Sequence, residues 1–277
     1  MNSPIGPEYH VSLERVEQTT REPVSVVIVN YRTLMLTSLS VESTLNEPEV
    51  GEIIVVDSGS RNGDFETMQS RFAKEPRVRL VQSVENVGFG RAANLGVENA
   101  NFPFVFLLNS DAIVRPGCLR ILQERWSNLT APGVLAPEIY VGSSNDLQPE
   151  VGGEFPTVMK LITRRTKRYS AGESPDWVTG CAMLFRRDVF IQLGGFDPDI
   201  FMYYEDVLLC WTLRQAGLNV FRCEGAAVEH LGSQSTTTRS SGSTRWYKSQ
   251  EIALRKMGQP TAALCILKVV RCLRRNH

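Results

Sequence analysis

Asp57, Asp111 and the neighbours Glu205 and Asp206 are carboxylates set where apolar runs give way to polar turns, and His230 is one of only three histidines. Asp111 closes Asn109-Ser110-Asp111 after the apolar run 104–108. Oxygens gathered at a strand end suit a hard cation such as Mg2+ or Mn2+, held by one or two protein oxygens and by a substrate's phosphates. The same residue serves equally as an N-cap or turn aspartate ahead of Pro116. Asp57, before Ser58-Gly59-Ser60, either bonds its own downstream backbone in an Asx turn or accepts hydrogen bonds from a nucleoside base or ribose. Glu205 and Asp206 open a helix after Phe201-Met202-Tyr203-Tyr204. Acids at a helix start gain ~0.3–1 kcal/mol from the dipole, so their position has an ordinary electrostatic reason as well. Consecutive helical positions diverge by about 100 degrees, so only one of the two faces a reacting group squarely. An aromatic wall raises a carboxylate pKa and makes it a better base. A lone histidine after a short strand is commonly structural; Glu229 and the Gly-Ser loop beside His230 leave metal ligation open.

Gly88-Phe89-Gly90-Arg91-Ala92-Ala93 matches the G-x-G-x-x-A pattern of dinucleotide sites, with Asp111 near the expected spacing. Three features weigh against that reading. Two complete strand–helix units precede it, a polar stretch (83–86) separates it from its strand, and it leaves Asp206 and His230 without a role. No nucleophile elbow, Walker loop, H-E-x-x-H helix or Cys/His zinc spacing occurs in the sequence.

The elements that must position these groups follow from periodicity. Apolar runs at 24–29, 52–56, 78–81 and 104–108 read as strands, and the spacing predicts helices over 33–45, 65–73 and from the glycine turn to about 99. Strands alternating with helices predict an α/β fold with a mostly parallel central sheet flanked by helices. Ligands then bind beyond the carboxyl ends of the strands, where Asn30, Asp57 and Asp111 stand. Residues 142–176 read as a long loop or insertion with a basic cluster at Arg164, Arg165, Lys167 and Arg168. Residues 205–217 read as a helix, 219–222 as a strand leading to His230, and 232–244, almost all Ser, Thr and Gly, as a mobile linker. The segment from 245 is helical in pattern and carries eight basic residues against one acid, Glu251. It is expected to lie on an anionic bilayer or to pack on the catalytic domain.

The totals bound the answer. The chain has 277 residues, is 42% hydrophobic and 22% charged, and balances 30 basic against 30 acidic residues, which argues for a globular protein and against one that blankets nucleic acid. Six cysteines form no CxxC pair, and no leader or membrane span is evident. Both features predict a reducing, cytoplasmic location, with the inner face of the cytoplasmic membrane as the place where a basic tail would act.

The order of the motifs carries a resemblance. Val-Ile-Val-Asn-Tyr (27–31), Val-Val-Asp-Ser-Gly-Ser (55–60), Asn-Val-Gly-Phe-Gly-Arg-Ala-Ala-Asn-Leu-Gly (86–96) and Leu-Leu-Asn-Ser-Asp (107–111) are followed by Trp-Val-Thr-Gly-Cys-Ala-Met-Leu-Phe-Arg-Arg (177–187), Gly-Gly-Phe-Asp (194–197), Phe-Met-Tyr-Tyr-Glu-Asp-Val (201–207) and Glu-His-Leu-Gly (229–232). Over 23–235 this resembles the inverting glycosyltransferases of family two, most of all bacterial rhamnosyltransferases of cell-envelope polysaccharide assembly. The resemblance implies a GT-A domain over 23–235, a tail at 1–22 and a linker with a C-terminal helical extension at 236–277. It implies a dTDP- or UDP-sugar donor held by Asn30, Tyr31, Asp57, Arg91, Asn109 and Asp111, with Mg2+ or Mn2+ on Asp111 and His230. A glycan or lipid-linked acceptor would meet Trp177, Gly180 and Tyr203, with Asp206 as base and Glu205 beside it. A sugar-phosphate nucleotidyltransferase and a silent nucleotide-sugar binding protein are the rival readings. Two positions depart from the family: Asn109, where many members carry Asp, and Leu208, where relatives often carry an acid.

Overall fold

The β-branched residues of the first strand, β1 (Val24–Asn30), are all buried, and alternate ones feed two different cores. Val26 and Ile28 pack on one face of the sheet, Val27 and Val29 on the other. In this computed structural model, which describes residues 22–144, 146–149, 151–163, 165, 175–232 and 239–275, the same logic continues. α1 (Leu34–Leu45), β2 (Val50–Ser58), α2 (Asp64–Arg71), β3 (Val78–Ser83), α3 (Phe89–Glu98) and β4 (Phe104–Asn109) alternate as the spacing predicts. There follow β5 (Ala112–Val114), α4 (Cys118–Trp126), β6 (Pro132–Val141), β7 (Gly152–Gly153), α5 (Val158–Thr163), β8 (Trp177–Val178), β9 (Ala182–Arg186), α6 (Arg187–Gln192), α7 (Glu205–Gln215), β10 (Asn219–His230), α8 (Arg239–Lys256) and α9 (Thr261–Arg275).

Eight strands form one sheet in the order β3-β2-β1-β4-β9-β6-β10-β5. β3, β2, β1 and β4 are parallel; β9 runs against β4 and β6, and β5 runs against β10. The mostly parallel sheet is therefore mixed. The reversed edge strand has a consequence for the site, because β5 pairs His230 with Ala112 and so folds the end of β10 back onto the end of β4.

The opposite end of the sheet is stapled by one buried carboxylate. Glu52 accepts from Ser25 Oγ (2.7 Å), the Asn101 backbone N–H (2.6 Å) and side chain (2.8 Å), and Arg79 (2.9 Å). These bonds join β1, β2, β3 and the approach to β4. Burial alone raises the Glu52 carboxyl, but the four donors together outweigh it and hold it below its usual value.

Several elements differ from the sequence reading, each for a physical reason. Prolines at 132 and 137 mask β6; Pro137 has no N–H to give the ladder, and β10 bulges there, its register jumping between Cys223 and Ala227. The expected loop at 142–176 contains β7, which pairs with β8, and α5, which packs against α9 through Val158, Leu264 and Leu267. Arg164, Lys167 and Arg168 of its basic cluster lie outside the described residues. The expected linker at 232–244 is helical from Arg239; its part at 233–238 lies outside the described residues. Packing overrides a composition poor in helix formers there, since α8 buries Ser249, Gln250, Ala253 and Leu254.

Glu52→Gln is expected to lower stability by about 1–3 kcal/mol at neutral pH, because buried donors lose their charged acceptor. A carboxyl held below its ordinary pKa contributes fully above the ordinary value of 4.5 and loses the contribution as pH falls through its lowered pKa, so the gap between parent and variant should narrow only below that ordinary value. Urea midpoints measure both; equal midpoints at neutral pH would contradict the staple.

Candidate active site

Asn30 and Asp57 are paired in register at the carboxyl ends of β1 and β2. Asn30 Nδ2 donates to Asp57 Oδ1 (2.7 Å) and lies near Ser60 Oγ (3.1 Å) and Asp64 Oδ2 (3.3 Å). Its Oδ1 accepts from Thr33 and Thr37 (2.8 Å to Thr37). The Ser60 hydroxyl donates to Asp57 Oδ1 and the Ser60 N–H to Oδ2 (3.1 Å), so Asp57 bonds its own downstream backbone, three residues on. Asn30 and Asp57 are fully buried. They lie beneath the surface at the carboxyl ends of the two strands. Half-buried Tyr31 and exposed Arg32 border them, Arg32 lying over the Tyr31 ring at 5.2 Å. Arg32 sits at φ 58, a left-handed conformation held by its N–H on Ser60 Oγ (3.0 Å). Ser60 and Asp64 escaped the sequence reading because neither ends a strand.

Asp111 lies in the turn between β4 and β5. Its backbone carbonyl accepts from Leu231 N–H (2.8 Å), and His230 Nε2 stands 3.1 Å from its Oδ1. Both side chains are mostly buried. The other ring nitrogen, Nδ1, is 2.7 Å from Gln148 Oε1. In one tautomer Nε2 donates to Asp111; in the other Nδ1 donates to the Gln148 oxygen and Nε2 presents its lone pair to Asp111. In the second, two acceptors 3.1 Å apart are relieved by a shared cation. Histidine ligands commonly donate their second nitrogen to such an outer partner. Asp111 and His230 therefore fit a divalent ion. Among the described residues no third His, Cys, Asp or Glu joins them, so phosphate oxygens of a ligand would complete the shell. Gln148 was invisible in sequence because it comes from a loop, bridged to β6 by Tyr140 and Leu147.

Asp206 opens α7 behind two residues in left-handed conformation, Tyr203 (φ 71) and Tyr204 (φ 69). Each costs roughly 1–2 kcal/mol and persists only where its surroundings impose it. Here Ser249 donates to the Met202 carbonyl (2.7 Å), Gln250 bonds the Tyr204 hydroxyl, and Trp246 meets the Tyr204 ring edge-on at 5.3 Å. From the other side α3 grips the preceding loop. Phe89 N–H donates to the Phe201 carbonyl (3.0 Å), Asn94 bonds both the N–H and the C=O of Phe196, and Arg91 Nε donates to the Pro198 carbonyl (2.8 Å). The glycine motif explains itself in this contact. A Cβ on Gly88 would stand 2.1 Å from the Phe201 carbonyl oxygen, so this glycine serves close backbone approach.

The Asp206 carboxylate accepts from Gly180 N–H (2.9 Å) and from its own helix start at Val207 (2.8 Å). The next residue, Cys181, accepts from Asn109 N–H through its carbonyl (2.9 Å). The peptide 180–181 thus joins the Asp206 side of the site to the Asp111 side. Glu205 is buried, and its Oε2 meets no hydrogen-bond partner among the described residues. Burial first, and then the Asp206 charge, pushes its carboxyl up to about 8. Burial also raises Asp206, against the N–H donors of Gly180 and Val207. Asp206 alone of the pair is partly exposed and can accept a proton from a ligand.

The remaining sequence candidates take varied places. Gly180 is the Asp206 partner. Trp177 is half-buried, its Nε1 donating to the Glu154 carbonyl (3.2 Å). Tyr203 belongs to the strained turn before Asp206, and Arg91 turns toward the loop at 197–199.

Residues 25–194 match the family Glycosyl transferase family 2. The chain belongs to this family. It is 29% identical, over 66% of its length and 67% of the relative's, to the N-acetylglucosaminyl-diphospho-decaprenol L-rhamnosyltransferase of Mycobacterium tuberculosis (strain CDC 1551 / Oshkosh). To the low-salt glycan biosynthesis hexosyltransferase Agl10 of Haloferax volcanii it is 26% identical, over 78% of this chain and 69% of that protein. The mannosyltransferase PcManGT from Pyrobaculum calidifontis, solved with GDP-Man and Mn2+, superposes with a TM-score of 0.64 at 18% identity, covering 90% of this chain and 69% of that one. GalNAc-T7 with UDP, GalNAc and Mn2+ gives 0.62 at 18% identity, covering 76% and 43%. At such identities the likeness speaks for the fold, which is GT-A. The family 2 match ends before α7 and β10, so Asp206 and His230 stand on the geometry above.

Glu205→Gln tests the buried pair. A carboxyl whose folded pKa is raised costs stability as pH climbs from the unfolded value toward about 8, because the unfolded chain loses its proton first. The variant lacks this penalty, so its melting temperature should exceed the parent's by a margin that grows between about pH 5 and pH 8. A margin independent of pH would contradict the assignment.

Proposed function

We propose that this glycosyltransferase moves a sugar, rhamnose being our candidate, from a dTDP- or UDP-linked donor to a hydroxyl of a glycan or lipid-linked glycan, by a single displacement that inverts the anomeric centre. The observation that carries the proposal is the bridge at 180–181, which sets one proton-accepting carboxylate opposite one ion-binding pair. The M. tuberculosis relative is named for a lipid-diphosphate acceptor and for rhamnose, which supports both choices.

The nucleoside lies at the ends of β1 and β2, where Asn30 and Asp57 fix Tyr31, Arg32 and Ser60 against it. The diphosphate points toward Asp111 and His230. A divalent ion held there, Mg2+ or Mn2+, supplies charge neutralisation for the departing diphosphate. Gln148 keeps the His230 ring oriented, and Asn109, through its backbone N–H, keeps Asp111 in register with Cys181. Asp206 removes the acceptor proton as the hydroxyl attacks. Its carboxylate is aimed by Gly180 N–H, and burial raises its basicity above that of a solvated aspartate. The half-buried rings of Trp177 and Tyr203 border the acceptor. The acceptor's lipid portion would place the reaction at the inner face of the cytoplasmic membrane.

One experiment reads these roles together. Incubated with nucleotide sugars, Mn2+ and candidate acceptors, the chain should release a nucleoside diphosphate; release of pyrophosphate, or of nothing, would overturn the reading. Asp206→Asn should lose roughly 10²–10⁴-fold in transfer while calorimetry finds donor binding nearly unchanged. Asp111→Ala should instead weaken metal-dependent donor binding.

A further inference from the structure

α9 buries one face and leaves another apolar face uncovered. Leu264 and Leu267 pack with Leu254 of α8 and Val158 of α5. On the outer side Ile266, Val269 and Leu273 are 56%, 58% and 62% exposed. Ala262, Cys265 and Cys272 are exposed with them. These six positions recur at steps of three and four residues and so form one stripe along the helix. Among the described residues no other element exposes three large hydrophobic side chains. The stripe runs beside cations. α9 contains no acidic residue; Lys268 is exposed beside Glu251 of α8 (2.8 Å), and Arg271 lies over the Tyr247 ring at 4.4 Å. Arg245 and Lys248 of α8 are exposed as well.

We infer that the outer face of α9 docks in the interface of an anionic phospholipid bilayer. The helix is too short and too basic to cross one, and no described helix meets the length and apolarity of a span. An exposed apolar stripe flanked by basic residues is the arrangement that lies in the headgroup plane, apolar side chains among the acyl ends and cations on acidic lipid. A second copy of the chain is the poorer occupant, since an interface built on this stripe would bring two acid-free basic helices together.

The docking face is tied to the reaction. Lys268 joins α9 to α8, and α8 holds the loop before Asp206 through Ser249, Gln250 and Ala253, with Arg245 4.8 Å above the Phe201 ring. On the reading under Proposed function, docking fixes the acceptor side of the cleft to the surface that carries the acceptor.

Flotation of the full chain with phosphatidylcholine vesicles, with and without phosphatidylglycerol, tests this directly. The chain should float with the anionic vesicles and be released by raised salt. The triple variant Ile266→Asp, Val269→Asp, Leu273→Asp should keep the parent melting temperature and lose binding by roughly tenfold or more. Should the aspartates unfold the helix, Ile266→Ser with Leu273→Ser gives the same comparison more gently. Equal flotation of parent and variants overturns the inference, as does equal flotation on neutral vesicles. A parent that stays with the aqueous phase and sediments as a dimer which the triple variant abolishes also overturns it. Nucleotide release with a water-soluble acceptor is read in parallel: a chain that floats but releases no nucleotide defeats the functional reading and leaves the docking face standing.

Discussion

The hydrogen bond from Gly180 N–H to Asp206 and the bond from Asn109 N–H to the Cys181 carbonyl sit on adjacent residues, and the site depends on that adjacency. The segment leads into β9, the reversed strand between β4 and β6, and β4 carries Asn109 toward Asp111. A carboxylate on a helix start and the Asp111–His230 pair at a strand end are therefore held in mutual register by main chain. Backbone donors lack the rotamer freedom of side chains, so this is a stiff way to hold the two groups in register.

Around that bridge the molecule accepts unfavourable local states. Tyr203 and Tyr204 are left-handed, and Glu205 is buried without a partner for Oε2. Each is imposed by packing from α3 on one side and α8 on the other. Strain and buried carboxyl groups gather within four consecutive residues, Tyr203 to Asp206, the kind of clustering that accompanies functional sites. The Glu52 staple at the far end of the sheet is the contrast, a buried carboxylate with every oxygen engaged.

Much of this was legible in the residues. Buried parallel strands announce themselves by unbroken β-branched runs, so the ends of β1, β2 and β4, and with them Asn30, Asp57 and Asp111, could be placed from periodicity. The pairing of Asp111 with His230 came from the resemblance and not from periodicity, because it depends on β5 and on the Pro137 bulge that carries β10 to its edge. Gln148, Ser60 and Asp64 act by reaching strand-end residues from loops or a helix start, contacts that leave no period. The glycines at 88 and 90 match a dinucleotide pattern that the sequence context already spoke against, and a single carbonyl, that of Phe201, explains the first of them. Composition misled at 239–244, where Ser and Thr are drawn into α8 by its buried face.

The central claim is that one carboxylate, Asp206, deprotonates the acceptor in a single displacement while the opposite pair serves the leaving group. The anomeric configuration of the product tests it most directly, read from the one-bond carbon–proton coupling of the transferred sugar. The account predicts a glycoside of configuration opposite to the donor's. A product that retains the donor configuration would contradict it, since a single displacement from the face opposite the leaving group inverts the anomeric centre.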